Sequence, residues 1–218
     1  MLSRNWNFKL IVCMAISFVM SVAAVNAQQL AAIKLNAPNK SRGTLSVMQA
    51  LTARQSAAEY ADRLLSVADM SDLFWAADGI NREDGRRTAA SAMNAQDVML
   101  YAFTPQGVYL YDAGDHELKP VVAGDHRTVF GERGMAPLIV LMVSDVAKFG
   151  DRAALDMRRE FGAIDVGIVA QNIMLFCAGN GLWTRPRAGM DREAITKLLN
   201  LNESQLPMLN NAIGYPSN

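Results

Sequence analysis

The side chains of this 218-residue chain that could do chemistry are few and widely spaced. Its two histidines, His116 and His126, each close an Ala-Gly-Asp-His stretch, at Ala113–His116 and Ala123–His126. A His/Asp pair can ligate a metal. No further ligand falls at metal-site spacing, however, and Gly-Asp is turn chemistry, so the repeat predicts two similar turns and no metal. There is no Gly-x-Ser-x-Gly elbow, no Walker loop and no Gly-x-Gly-x-x-Gly after a strand. With both histidines in turns, a Ser-His-Asp triad lacks its base. Arg54 is a different case, because guanidinium is the planar fork that phosphate prefers; its plain alternative is a solvated arginine on a helix surface. Ser91 and Asn94, taken alone, read as turn and cap residues. Asp165, Gln171 and Asn172 interrupt an apolar run and must find partners, which predicts a hydrogen-bond network in the core or at a dimer interface. What is left is a set of phosphate- and amide-binding groups without an acid or base. That suits a protein whose cofactor carries the reaction.

Composition narrows the class. The chain is 51% apolar and 19% charged, with 21 basic and 21 acidic residues. This excludes a disordered tail, a collagen-like chain and a disulfide scaffold, and it gives no basic field for nucleic acid. Residues 1–27 read as a signal peptide: Arg4 and Lys9, an apolar run from Leu10 to Val25, then the small-x-small site Val25-Asn26-Ala27. The expected protein is therefore exported, to the periplasm, with no stable membrane span once the signal is removed. One cysteine then remains, Cys177, inside the apolar run Ile173–Ala178 and read as a buried small hydrophobe.

The elements that must position these residues follow from periodicity. Residues 28–46 form an extended arm, and 47–218 a single domain. Val47–Leu65 reads as helix with a break near Arg54-Gln55-Ser56. Ser66 starts a helix in the manner of a capping box, with Met70, Leu73, Phe74 and Ala77 on one face and Gly79 as the stop. Asn81–Ala95 reads as a long loop. Val98–Phe103 and Val108–Tyr111 flank the turn Thr104–Gly107 and predict a hairpin. Leu138–Val143 predicts a strand buried on both faces, and Ala163–Ala178 a helix buried all round. Asp191 caps a last helix to Leu199, and the tail closes on Gly214-Tyr215-Pro216. Helices outnumber strands, and the strands cluster mid-chain: an α+β fold.

Five segments in order carry a resemblance. Thr52–Tyr60 resembles the Arg-x-Ser-x-Arg-x-Phe segment of the nitroreductase family of flavoproteins. Arg87–Gln96 is similar to that family's Pro-Ser-Ala-x-Asn-x-Gln loop. Ile164–Leu175 resembles its Asp-x-Gly-x-x-x-Gln-Asn helix, and Gly181–Asp191 the segment after it. Val108–Tyr111, leading to His116, Leu118 and Gly124–Arg127, is similar to the SagB-type dehydrogenase branch. The resemblance implies a nitroreductase-like fold, a central and mainly antiparallel sheet flanked by helices, as a homodimer with flavin mononucleotide (FMN) at the subunit interface. It implies Arg54 and Ser56 on the FMN phosphate and ribityl chain, with Gln55 beside the ring. Ser91 and Ala92 would come from the partner subunit, and Asn94 would bond the isoalloxazine edge. The backbone N–H groups of Ala188 and Gly189 would face N5 and O4, where charge develops on reduction.

The implied function is ping-pong electron transfer from a reduced donor such as NAD(P)H to an electron-poor acceptor, a nitroaromatic or quinone, with no certain catalytic side chain. Trp75 and Trp183 either shape the substrate side of the pocket or pack in the core. The sequence departs from the family at Ala58, where a second basic residue is usual, at Ala90, where proline is, and in having no C-terminal basic pair. Arg185 and Arg187, or Arg86 and Arg87, are candidates to compensate. These departures leave a second reading open: an exported flavin- or ligand-binding dimer of the same fold without turnover.

Overall fold

The computed structural model describes residues 30–43, 45–57, 59–132 and 135–217. The expected signal peptide and the departure at Ala58 lie outside the described residues. The apolar runs of Val98–Phe103 (β2), Gly107–Asp112 (β3) and Leu138–Asp145 (β5) build the centre of a seven-stranded sheet. Ile33–Lys34 (β1), Glu117–Ala123 (β4), Trp183–Arg187 (β6) and Gln205–Gly214 (β7) complete it in the order β1-β4-β3-β2-β5-β7-β6. Every neighbouring pair is antiparallel. The α-helices of the described residues are Val47–Ala53 (α1), Val67–Asp78 (α2), Leu155–Gly179 (α3) and Arg192–Leu199 (α4).

β5 is buried on both faces, as its unbroken apolar run predicts. Ile139, Leu141 and Val143 join Phe103, Phe130, Ile195 and Leu199 in one cluster. The alternate residues point to the other face, against which α3 packs; a Cβ on Gly162 of α3 would stand 2.3 Å from Ser144 Oγ. Leu138, Val140 and Met142 are buried there just as deeply.

Several expectations are corrected. The helix expected over Val47–Leu65 stops at its expected break near Arg54–Ser56 and does not resume in the described residues after it, because the following backbone is spent on the sheet edge. Strands outnumber helices and are not confined to mid-chain: β1 comes from the arm, and β6 and β7 from the region read as helix end and tail. Helix α3 starts at Leu155 and is not buried all round, since Ile164 is 52% exposed and Leu155 62%. By length and composition alone α3 is also long and apolar enough to cross a membrane. The arm is tied down rather than loose. Asn36 N–H donates to Ser71 Oγ at 2.8 Å, Asn39 N–H to Asp72 Oδ1 at 2.7 Å, and Arg42 pairs with Asp69 and Asp72.

Candidate functional site

Ser46 closes a capping box with Gln49 at the start of α1, and Arg54 closes its other end, giving its N–H to Ala50 O at 2.9 Å while its own backbone turns extended. That turn delivers the next residues to β6. Ser56 forms a parallel bridge with Thr184, and Ala57 N–H donates to Thr184 O at 3.1 Å. Tyr60 OH donates to Ala212 O at 3.1 Å and Ala61 N–H to Tyr215 O at 3.0 Å. Arg54 and Gln55 line a cavity of about 220 Å³ with Met174, Leu182, Trp183 and Thr184.

Strand alternation buries Thr184 and exposes Arg185. Burial pushes the Tyr60 phenol up to about 12, while the Arg185 and Arg187 guanidiniums pull the other way. Both cations therefore stand close to it. Among the described residues, Arg54, Arg185 and Arg187 have no carboxylate within 4.0 Å. At the end of β6, Asn210 Nδ2 donates to Arg187 O at 2.8 Å and to Gly189 O at 3.3 Å, which fixes the turn at Ala188 and Gly189. Both residues are exposed. A Cβ on Gly189 would meet nothing nearer than Arg187 Nη2 at 3.9 Å, so this backbone is open to an approaching group.

A second cluster forms around the loop from Ser91 to Gln96. Ser91 Oγ accepts from Gln96 N–H at 2.9 Å, and Ala92 N–H donates to both oxygens of Asp165, at 3.0 and 2.8 Å. Met93, Asn94 and Gln96 have φ of 54°, 52° and 49°, a left-handed conformation that disfavours side chains. Three cationic side chains hold the loop in it. Lys148 Nζ donates to Gln96 O at 2.8 Å, Arg152 Nη1 to Met93 O at 3.0 Å, and Arg87 Nε to Gln96 Oε1 at 3.1 Å. Beneath the loop lie three buried carboxyls, Asp78, Asp97 and Asp165. Burial raises Asp165 to about 7, helped by a hydrogen bond with Asp97 and by the Asp97 and Asp78 charges. Burial also raises Asp78 to about 7, against the pull of Arg87, whose Nη1 donates to it at 2.5 Å.

The residues expected at the site thus fall into two groups. Arg54, Gln55, Ser56, Ala188 and Gly189 share the β6 edge; Ser91, Ala92 and Asn94 do not join them. The cavity meets α3 at Met174 and the loop meets it at Asp165, positions separated by roughly 13 Å along a helix axis. Asp97 and Asp78 escaped the sequence reading. Their only signal was an acidic residue directly before a strand and another at a helix end. Of the other candidates, Trp183 lines the cavity, whereas Trp75 Nε1 is bonded to Ile80 O at 3.0 Å. Arg86 pairs with Asp84 and Arg87 with Asp78. His116 Nδ1 meets Tyr111 OH at 2.9 Å and His126 Nε2 meets Ala123 O at 3.0 Å, at the two ends of β4. Cys177 is buried, which pushes its thiol up. Asn172 Nδ2 donates to Ala77 O at 3.2 Å, linking α3 to α2 as its apolar surroundings require.

The profile of the nitroreductase family matches residues 51–215. A Methanocaldococcus jannaschii protein that carries the nitroreductase name is 25% identical over 179 residues, 73% of this chain and 86% of that one. A crystal structure from Ralstonia eutropha, of a protein also given the nitroreductase name, is similar with a TM-score of 0.82 and 31% identity, covering 88% of this chain and 92% of its own. A Staphylococcus epidermidis structure named for NAD(P)H:FMN oxidoreductase is similar in fold, with a TM-score of 0.58 and 16% identity over 84% of this chain and 92% of that one.

Proposed function

Since the chain belongs to the nitroreductase family and is an oxidoreductase of that kind, we propose that it works with FMN as a homodimer. The observation that carries the cofactor is the donor set of the β6 edge. Arg54 and Arg185 have no carboxylate partner among the described residues, Ser56 is bridged between them to Thr184, and the Ala188-Gly189 backbone lies open beyond. Phosphate requires such cationic forks free of competing anions, so these residues fit the group. Arg54, Ser56 and Arg185 would hold the phosphate end, and Gln55 would flank the ring. The Ala188 and Gly189 amides would stabilise charge at the reducible edge. The chemistry supplied by bound FMN is two-electron transfer, in ping-pong order, from a reduced donor such as NAD(P)H to a nitroaromatic or quinone.

The dimer is supported by apolar surface. Val47, Met48 and Leu51 of α1 and Leu155, Met157 and Ile164 of α3 are all exposed in the single chain, an arrangement that marks an interaction surface. A second copy covering it would also bring its own Ser91–Asn94 loop to this chain's β6 edge, reuniting the two groups. The SagB-type resemblance, export through residues 1–27 and periplasmic residence belong to the same proposal. The second reading, a flavin- or ligand-binding dimer without turnover, is favoured by the missing basic contacts of which Ala58 is one.

The test is the visible spectrum of the purified protein, before and after anaerobic addition of NADH or NADPH. A flavin band that bleaches supports the enzyme. A band that bleaches only with dithionite moves the proposal to another donor or to the binding reading. No band after FMN is supplied removes the cofactor.

A further inference from the structure

Two buried carboxyls in hydrogen-bond contact cannot both ionise at the cost of a single ion. Asp165 and Asp97 are such a pair: Asp165 is 1% exposed, Asp97 is 0% exposed, and the two carboxyls face each other within reach of a shared hydrogen. Asp97 Oδ2 accepts from Ser144 Oγ, but its Oδ1 is buried with no donor among the described residues. A proton carried by Asp165 satisfies it. On its other side Asp165 receives the Ala92 N–H, the amide that opens the strained stretch at Met93, Asn94 and Gln96.

We propose that Asp97 and Asp165 are positioning residues, and that a proton on Asp165, donated to the unpartnered Oδ1 of Asp97, latches the Ser91–Gln96 loop in its strained shape. The charged groups around the pair set its sense. Asp78, at the end of α2, adds a third buried acid and opposes ionisation of Asp165. Arg87, from the loop itself, and Lys148, after β5, are directed at Asp78, and Lys148 and Arg152 otherwise bind loop carbonyls. No cation among these is bonded to Asp97 or Asp165. With the proton present, Asp165 donates to Asp97 and accepts from Ala92. With it gone, two anions face each other in a buried site, and the low-cost way out is for α3 and the loop to part and admit water.

The sign follows from linkage. The carboxyl is raised in the folded state, so the folded loop binds a proton that the opened loop releases. The latch is therefore complete at low pH and weakens as pH rises through about 7. From pH 5.5 to the transition the loss is on the order of thirtyfold, a factor of ten for each pH unit below about 7, and above it the loss levels off.

The loop's shape stands on these contacts alone; its consequence for the flavin rests on the function proposed above. Amide hydrogen exchange of the full chain, without added flavin and corrected for intrinsic rates, reads the latch directly. Protection of residues 92–96 is expected to fall about thirtyfold between pH 5.5 and 8.5. Asp165→Asn replaces the shared proton by a permanent amide donor and should make protection independent of pH. Asp97→Asn gives Asp165 an amide donor and removes the facing acid, so the transition should move to lower pH, and this variant serves should the first not fold. Asp78→Asn should leave the pH dependence in place. Protection that is flat in the unmodified protein, or a pH dependence that survives unchanged in either amide variant of the pair, overturns the proposal. FMN titration by fluorescence at the same two pH values then tests the flavin consequence separately. A latch without a pH-dependent affinity would count against the loop facing the flavin while leaving the latch intact.

Discussion

A guanidinium already paired with a carboxylate has little left for a phosphate, whereas an unpaired one keeps its charge and both prongs of its fork. By sequence, Arg86, Arg87, Arg185 and Arg187 were equal candidates to replace the missing basic residues. The fold separates them: Arg86 and Arg87 are engaged by Asp84 and Asp78, while Arg185 stands free on the sheet edge beside the Arg54–Ser56 turn. Arg54→Ala and Arg185→Ala are therefore expected to weaken FMN binding by about tenfold to a hundredfold each, the equivalent of one charge-assisted bond. Riboflavin, which lacks the phosphate, should bind each variant as it binds the unmodified protein. Arg86→Ala should change neither ligand. Fluorescence titration with both flavins reads all of this, and equal losses for FMN and riboflavin would exclude a phosphate role for the residue concerned.

At the scale of elements, the sheet accepts α3 only because one position on that helix has no side chain. An alanine Cβ at Gly162 would lie 2.3 Å from Ser144 Oγ and 3.0 Å from Ser144 Cβ, so helix and strand must separate. Gly162→Ala should lower stability by about 1–3 kcal/mol, visible as a drop of several degrees in Tm. An unchanged melting curve would show that the contact can relax freely. The sequence announced β2, β3 and β5 through alternation and unbroken apolar runs, and it announced α2 through Ser66 and Gly79. It hid β6 and β7 because Pro186, Pro207, Asn210, Asn211 and Gly214 break both pattern and propensity. Asn210 and Asn211 are buried there by bonds to Arg187, Gly189 and Thr184 that only the assembled edge provides. Of the candidate site, Arg54–Ser56 and Gly189 stood out by residue type. The carboxyls beneath the loop did not, because their effect depends on burial that no local pattern encodes.

For the whole molecule, the proposed dimer rests on the exposed side chains of α1 and α3. Met48 is 72% exposed, Val47 68% and Ile164 52%, and a charge placed among them has no route back to water once a second copy is seated. Ile164→Glu is expected to shift the mass measured by light scattering from dimer to monomer and to lower flavin retention with it. A dimer that tolerates the glutamate would place the interface elsewhere. The position of β7 has a further consequence, for biosynthesis. It is hydrogen-bonded between β5 and β6, yet it is made after both, and after α3 and α4. During synthesis the apolar β5 thus keeps one open edge until the last strand arrives, with the aggregation hazard that such edges carry. Closure of the sheet between β5 and β6 therefore waits for β7.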